Sequence, residues 1–157
     1  MRVHDLIASQ NDRKAHLTNF ALWPKPWRDY RSRMCANWRV MRLRKASRPN
    51  IPKKPGIYTM LIQPGIAAHP AASFPMYVGQ AKDLARRFNE YLTSERKPDG
   101  RPKIVQLLHK YDEFLWFCFC EVNVPDLDSA ETALITAMDP PCNDRVEARL
   151  AVTRKAF

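Results

Sequence analysis

The spacing of apolar positions changes period along the chain, and the elements follow from it. GIYTMLI (56–62) is rich in β-formers and predicts a strand. QPGIAAHPAAS (63–73), marked by Pro64, Gly65 and Pro70, predicts a loop. FPMYVGQ (74–80) predicts a second strand, so the two make a hairpin with a long connection. The period then lengthens. Over 84–92, Leu84, Phe88 and Tyr91 share one helical face, with Asp83 placed to cap it. A second helix fits 102–111, opening with Pro102. The run FLWFCFC (114–120) is apolar throughout, which predicts a strand covered on both faces. Leu127–Met138 predicts a last helix, stopped by Pro140 and Pro141. The order β-β-α-α-β-α describes an α+β domain with a single core.

Upstream, PNIPKKP (49–55) disfavours helix and central strand alike and marks a boundary. Before it, Trp27, Tyr30, Met34, Trp38 and Met41 recur at spacings of three and four. That pattern predicts an amphipathic helix over 27–45, with Arg28, Arg31, Arg39, Arg42, Arg44 and Lys45 mostly on its other faces. The expected organisation is a basic, aromatic-containing helical arm and Pro-rich linker over 1–55, a domain over 56–145 and a tail over 146–157.

Charge sharpens this division. The chain of 157 residues carries a formal net charge of +10. Residues 1–55 hold fourteen of the 26 Lys and Arg but three of the 16 Asp and Glu, so the whole surplus lies there. A basic arm on a nearly neutral domain points to a polyanionic partner. Cys35, Cys118, Cys120 and Cys142 form no C-x-x-C pair, which speaks against a zinc site or a disulfide framework. His4, His16, His69 and His109 show no ligand spacing. The first residues, MRVHDLIASQND, lack the apolar stretch of a signal peptide, and the expected location is cytoplasmic.

The chemistry lies in a set of residues taken in order. GIY at 56–58 and YVG at 77–79 fall on the two hairpin strands. They are followed by Arg86 and Arg87, Tyr91, Glu131 in the last helix and Asn143 after the proline break. Together these resemble the signature of the GIY-YIG nuclease family. The stretch YVGQAKDLARRFNEYL (77–92) is nearest to the branch that forms the nuclease half of the excinuclease component incising damaged DNA. The resemblance covers roughly two-thirds of the chain. It implies a small antiparallel three-stranded sheet flanked by helices. It also implies hydrolysis of phosphodiester bonds in nucleic acid, giving 5′-phosphate and 3′-hydroxyl ends. The expected partner is double-stranded or branched DNA. By this resemblance Tyr58 and Tyr77 flank the attacking water, one of them as general base. Arg87 neutralises the phosphorus oxygens, and Tyr91 binds one of them. Glu131 holds a single Mg²⁺ or Mn²⁺. Gly56, Gly79, Gln80 and Asn143 support the site. A phenol titrates near 10, so a phenolate base needs nearby positive charge.

Arg86 is offset from Arg87 by about 100° on a helix and is expected to contact nucleic acid with Lys82, Arg28, Arg31, Arg39 and Arg42. The excinuclease branch has lysine directly after YVG; this chain has Gln80, which cannot supply that charge. Singly, Tyr58 and Tyr77 would pass for strand aromatics, and Arg87 for a solvated helix charge. Asp128-x-x-Glu131 also fits a helix capping box. Order and spacing together favour the nuclease over two rivals, a catalytically silent nucleic-acid-binding module of the same fold and a protein-interaction domain docking through the basic helix.

Overall fold

A strand that is apolar at nearly every position needs cover on both faces and partners on both edges. Leu115–Glu121 obtains all four. The computed structural model describes residues 25, 28–30, 37–63, 73–93, 102–143. Its sheet has four antiparallel strands: β1 (Arg39–Arg42), β2 (Gly56–Ile62), β3 (Phe74–Ala81) and β4 (Leu115–Glu121). The spatial order is β1-β4-β2-β3, so the apolar β4 is internal and β3 is an edge. Three helices follow the predicted positions: α1 (Leu84–Thr93), α2 (Pro102–Lys110) and α3 (Leu127–Met138).

Alternation along the strands divides the side chains between two cores. Tyr58, Met60, Phe117 and Phe119 face α1 and α2, where they meet Leu84, Phe88, Tyr91, Ile104, Leu107 and Leu108. Ile57, Val78 and Cys120 face the other way and meet Leu127, Ala130 and Leu134 of α3. Phe88, Phe117 and Phe119 are fully buried, each contributing about 1.5–3 kcal/mol through burial. Asp83 caps α1 as expected, accepting the Arg86 amide hydrogen at 2.9 Å. Helix α3 stops at Asp139, which turns to the left-handed φ of 44° and closes the last turn through its amide to the Ile135 carbonyl at 2.8 Å. Pro140 and Pro141 prevent continuation.

Two expectations need correction. The sheet has a fourth strand beyond the three that the resemblance implies. That strand comes from the segment expected to be helical over 27–45. The backbone at residues 28–30 is helical, but Arg39–Arg42 is extended and pairs with β4 in the register Arg39↔Phe119 to Arg42↔Trp116. Lys45–Asn50 then forms a 3-10 helix. The reason is non-local. Without β1, the backbone groups on the outer edge of β4 would lack partners beside an apolar strand, and this outweighs a local helical pattern. The supposed aromatic stripe also divides: Tyr30 and Trp38 join the α3 core, and Met41 packs on the other. The sheet therefore begins before Pro55, inside the basic segment. Trp27, Arg31, Met34, the 64–72 part of the predicted loop and the tail lie outside the described residues.

Candidate functional site

The hairpin builds one half of the site. Tyr58 on β2 pairs directly with Gly79 on β3, and Met60 with Tyr77, which puts Tyr58 and Tyr77 diagonally on the same face. Their rings lie 6.1 Å apart. The Tyr58 ring stacks on Phe117 of β4 at 4.9 Å on one side and reaches across β3 on the other. It reaches because position 79 has no side chain. A Cβ there would stand 2.4 Å from the Tyr58 hydroxyl. The first signature glycine answers a second close approach: a Cβ at Gly56 would stand 2.2 Å from the Cys120 carbonyl oxygen of β4. Both glycines are thus required by neighbours across the sheet rather than by backbone dihedrals.

Helix α1 supplies the next layer. Tyr91 meets Tyr58 hydroxyl to hydroxyl at 2.7 Å, buried, with rings edge to face at 5.9 Å. Arg87, one turn earlier on the same face, lies within electrostatic reach of Tyr58, Tyr91 and Tyr77. Burial opposes its charge. The phenols of Tyr58 and Tyr91, the Glu90 carboxylate and Tyr77 outweigh that effect and raise its pKa further, so it stays cationic. Its guanidinium pairs with Glu90 at 2.8 Å, while its Nε is buried without a hydrogen-bond partner among the described residues. Burial, reinforced by the neighbouring Tyr91 and Tyr77 phenols, pushes the Tyr58 pKa well above its ordinary value; Arg87 only partly opposes this. Tyr77 is partly exposed.

The other half of the site sits across β3. Gln80 points to the α3 face, the side opposite Tyr58 and Tyr77. Its side-chain amide donates to Glu131 Oε2 at 2.9 Å and to Asp128 Oδ1. Glu131 lies beside the buried stripe of α3 and is itself partly buried. The capping-box alternative fails: the helix N-cap is Asp126 with no side-chain cap, and the Glu131 carboxylate turns to β3 instead. Glu131 makes no ion pair among the described residues. Among the described residues no group of three or more His, Cys, Asp and Glu gathers to hold a metal; Glu131 is a single half-buried carboxylate held by a neutral amide, a donor that could hold a divalent ion keeping most of its waters. Asn143 acts as a substitute strand. It accepts the Val78 amide hydrogen at 2.9 Å and donates to the Val78 carbonyl at 2.8 Å. The Cys142 amide bonds the Met76 carbonyl at 2.9 Å, so this turn seals part of the β3 edge.

The structure thus gathers Tyr58, Tyr77, Arg87 and Tyr91 on one face of the hairpin and Gln80, Glu131 and Asn143 around the edge of β3. The expected nucleic-acid contacts are less united. Arg28 and Lys82 are exposed. Arg86 is exposed and shares the Glu90 carboxylate with Arg87. Arg39 and Arg42 do not share a helical face as expected: they sit on β1 and alternate across the sheet. Arg39 pairs with Glu121 at 2.7 Å over the Phe119 ring, and Arg42 donates to the Glu113 carbonyl at 2.6 Å. Sequence reasoning missed Asp128 and Glu90. The first had a signal, since a residue three before Glu131 shares its helical face.

No helix among the described residues is long and apolar enough to cross a membrane. The sequence matches no protein-family model and no curated protein. Among solved structures, the chain is similar to GIY-YIG endonuclease domains. One is the N-terminal endonuclease domain of UvrC from Thermotoga maritima bound to magnesium, its catalytic divalent cation: 24% identity, 63% of this chain, 93% of that chain, TM-score 0.45. Another is a point mutant of the same domain bound to its catalytic divalent cation: 21% identity, 64% and 94% coverage, TM-score 0.44.

Proposed function

We propose that this chain is a metal-dependent endonuclease that hydrolyses phosphodiester bonds in DNA, leaving 5′-phosphate and 3′-hydroxyl ends. The observation that carries the reading is Arg87: a partly exposed guanidinium set among three phenols, placed to meet an anionic oxygen. Neutralising charge on a phosphorus oxygen is the main task in phosphodiester cleavage. The buried Tyr58 remains a neutral phenol and holds Tyr91 in place. Proton abstraction from water then falls to Tyr77, the partly exposed member of the pair. Glu131 would hold one Mg²⁺ or Mn²⁺, which supplies Lewis-acid charge and activates water when bound. Lys82, Arg86 and Arg28 would meet the flanking backbone of double-stranded or branched DNA. Incubation with supercoiled plasmid and a branched duplex, with Mg²⁺, Mn²⁺ or EDTA, tests the activity. Glu131→Gln is expected to abolish cutting while leaving gel-shift retention intact. Undiminished cutting by that variant would overturn the assignment.

A further inference from the structure

Gln80 uses its amide nitrogen twice, on Asp128 and on Glu131. Both partners are acceptors when ionised, so hydrogen-bond chemistry itself orients the amide. Asp128 and Glu131 stand three residues apart on α3 and therefore share a face. Two carboxylates on successive turns repel each other. A neutral donor between them holds them in place without cancelling either charge, whereas an ammonium there would neutralise one. Glu131 Oε2 is occupied by this bond, and Oε1 has no partner among the described residues.

We propose that Gln80 is a positioning residue: a neutral clamp, anchored by Asp128, that fixes the Glu131 carboxylate so that its other oxygen takes the divalent ion. This rests on Glu131 being the metal ligand, as proposed above. Partners of this kind orient a ligand and raise its effective affinity, and their loss costs roughly 10–100-fold in metal binding. The charge on α3 stays negative and available to a cation instead of being spent on an internal ion pair.

Calorimetric titration of the whole chain with Mn²⁺, in the absence of nucleic acid, reads this directly. Gln80→Ala is expected to raise the Mn²⁺ Kd by roughly 10–100-fold with an unchanged melting temperature. Its cleavage rate should recover at saturating Mn²⁺, so the change falls on metal demand and not on maximal rate. Asp128→Asn should shift Kd in the same direction by less. Gln80→Lys should bind no better than Gln80→Ala, since its ammonium opposes the ion. Wild-type affinity in Gln80→Lys would overturn the neutrality of the clamp. Wild-type affinity in Gln80→Ala, beside loss of binding in Glu131→Gln, would overturn the clamp and leave Glu131 as ligand. Wild-type affinity in Glu131→Gln would remove the ligand assignment and the clamp with it.

Discussion

Replacing Gly79 by alanine adds one methyl group where the Tyr58 side chain crosses β3. That carbon would stand 2.4 Å from the Tyr58 hydroxyl and 2.6 Å from its ring carbon Cζ. Ordinary contact begins near 3.4 Å, so the hydroxyl must retreat by about 1 Å. It has little room, because Phe117 stacks on its ring at 4.9 Å and Tyr91 fixes its oxygen at 2.7 Å. Overpacking of this kind costs about 1–3 kcal/mol of stability. A misplacement of ~1 Å in a reacting constellation costs on the order of a hundredfold in rate. Urea denaturation and single-turnover cleavage of plasmid should therefore both register Gly79→Ala, while gel-shift retention stays near normal. Tyr58→Leu removes the group that the methyl strikes. The double variant should therefore be less destabilised than the two single effects combined, with a coupling of about 1 kcal/mol or more. Additive stabilities, or a Gly79→Ala protein with wild-type rate and urea midpoint, would refute the contact and the role given to Tyr58.

Arg87→Ala should lower single-turnover rate on the order of a hundredfold or more, the scale of losing one charge partner of the transition state, whereas the more exposed Arg86 should on replacement mainly weaken DNA retention. A greater rate loss at Arg86 would show the two arginines to be assigned one residue out of place. Alkaline titration tests the buried phenol. Tyr58 has a folded pKa raised above its ordinary 10.0, so its contribution to stability is fully present below pH 10 and declines as pH rises through and above that value. Phenolate absorbance should accordingly show Tyr58 titrating only with unfolding, and Tyr58→Phe should lessen the alkaline loss of stability; early titration of Tyr58 in the folded protein would contradict its burial.

The elements that were legible in the sequence are those whose pattern is local. The strand at 56–62, the helix at 127–138 and the Asp83 cap follow from alternation, helical period and capping chemistry, and the structure forms them there. The β1 strand was not legible. RVMR fits a helical stripe, and its extended form depends on β4, a segment far along the chain. The same distinction applies to the site. Tyr58, Tyr77, Arg87 and Tyr91 could be named from the resemblance, and the fold brings them to one face. The contacts of Gln80 could not, because Asp128 and Glu131 reach it only once α3 lies on the sheet. The glycines stood in the signature, but the reason for them is a carbonyl and a phenol on neighbouring strands.

The internal placement of β4 has a consequence for the order in which the chain assembles. The β2–β3 hairpin closes early in sequence and brings Tyr58 opposite Gly79 by itself. β4 is made later, and it must enter between β1 and β2, pairing Phe119 with both Arg39 and Tyr58. Contacts so distant along the chain carry a high loop-closure cost and form late. During synthesis from the N-terminus, β1 and the hairpin therefore emerge before the strand that joins them. Until β4 arrives, Tyr58 lacks the Phe117 ring on which it stacks, and the hairpin has an unpaired edge open to other chains.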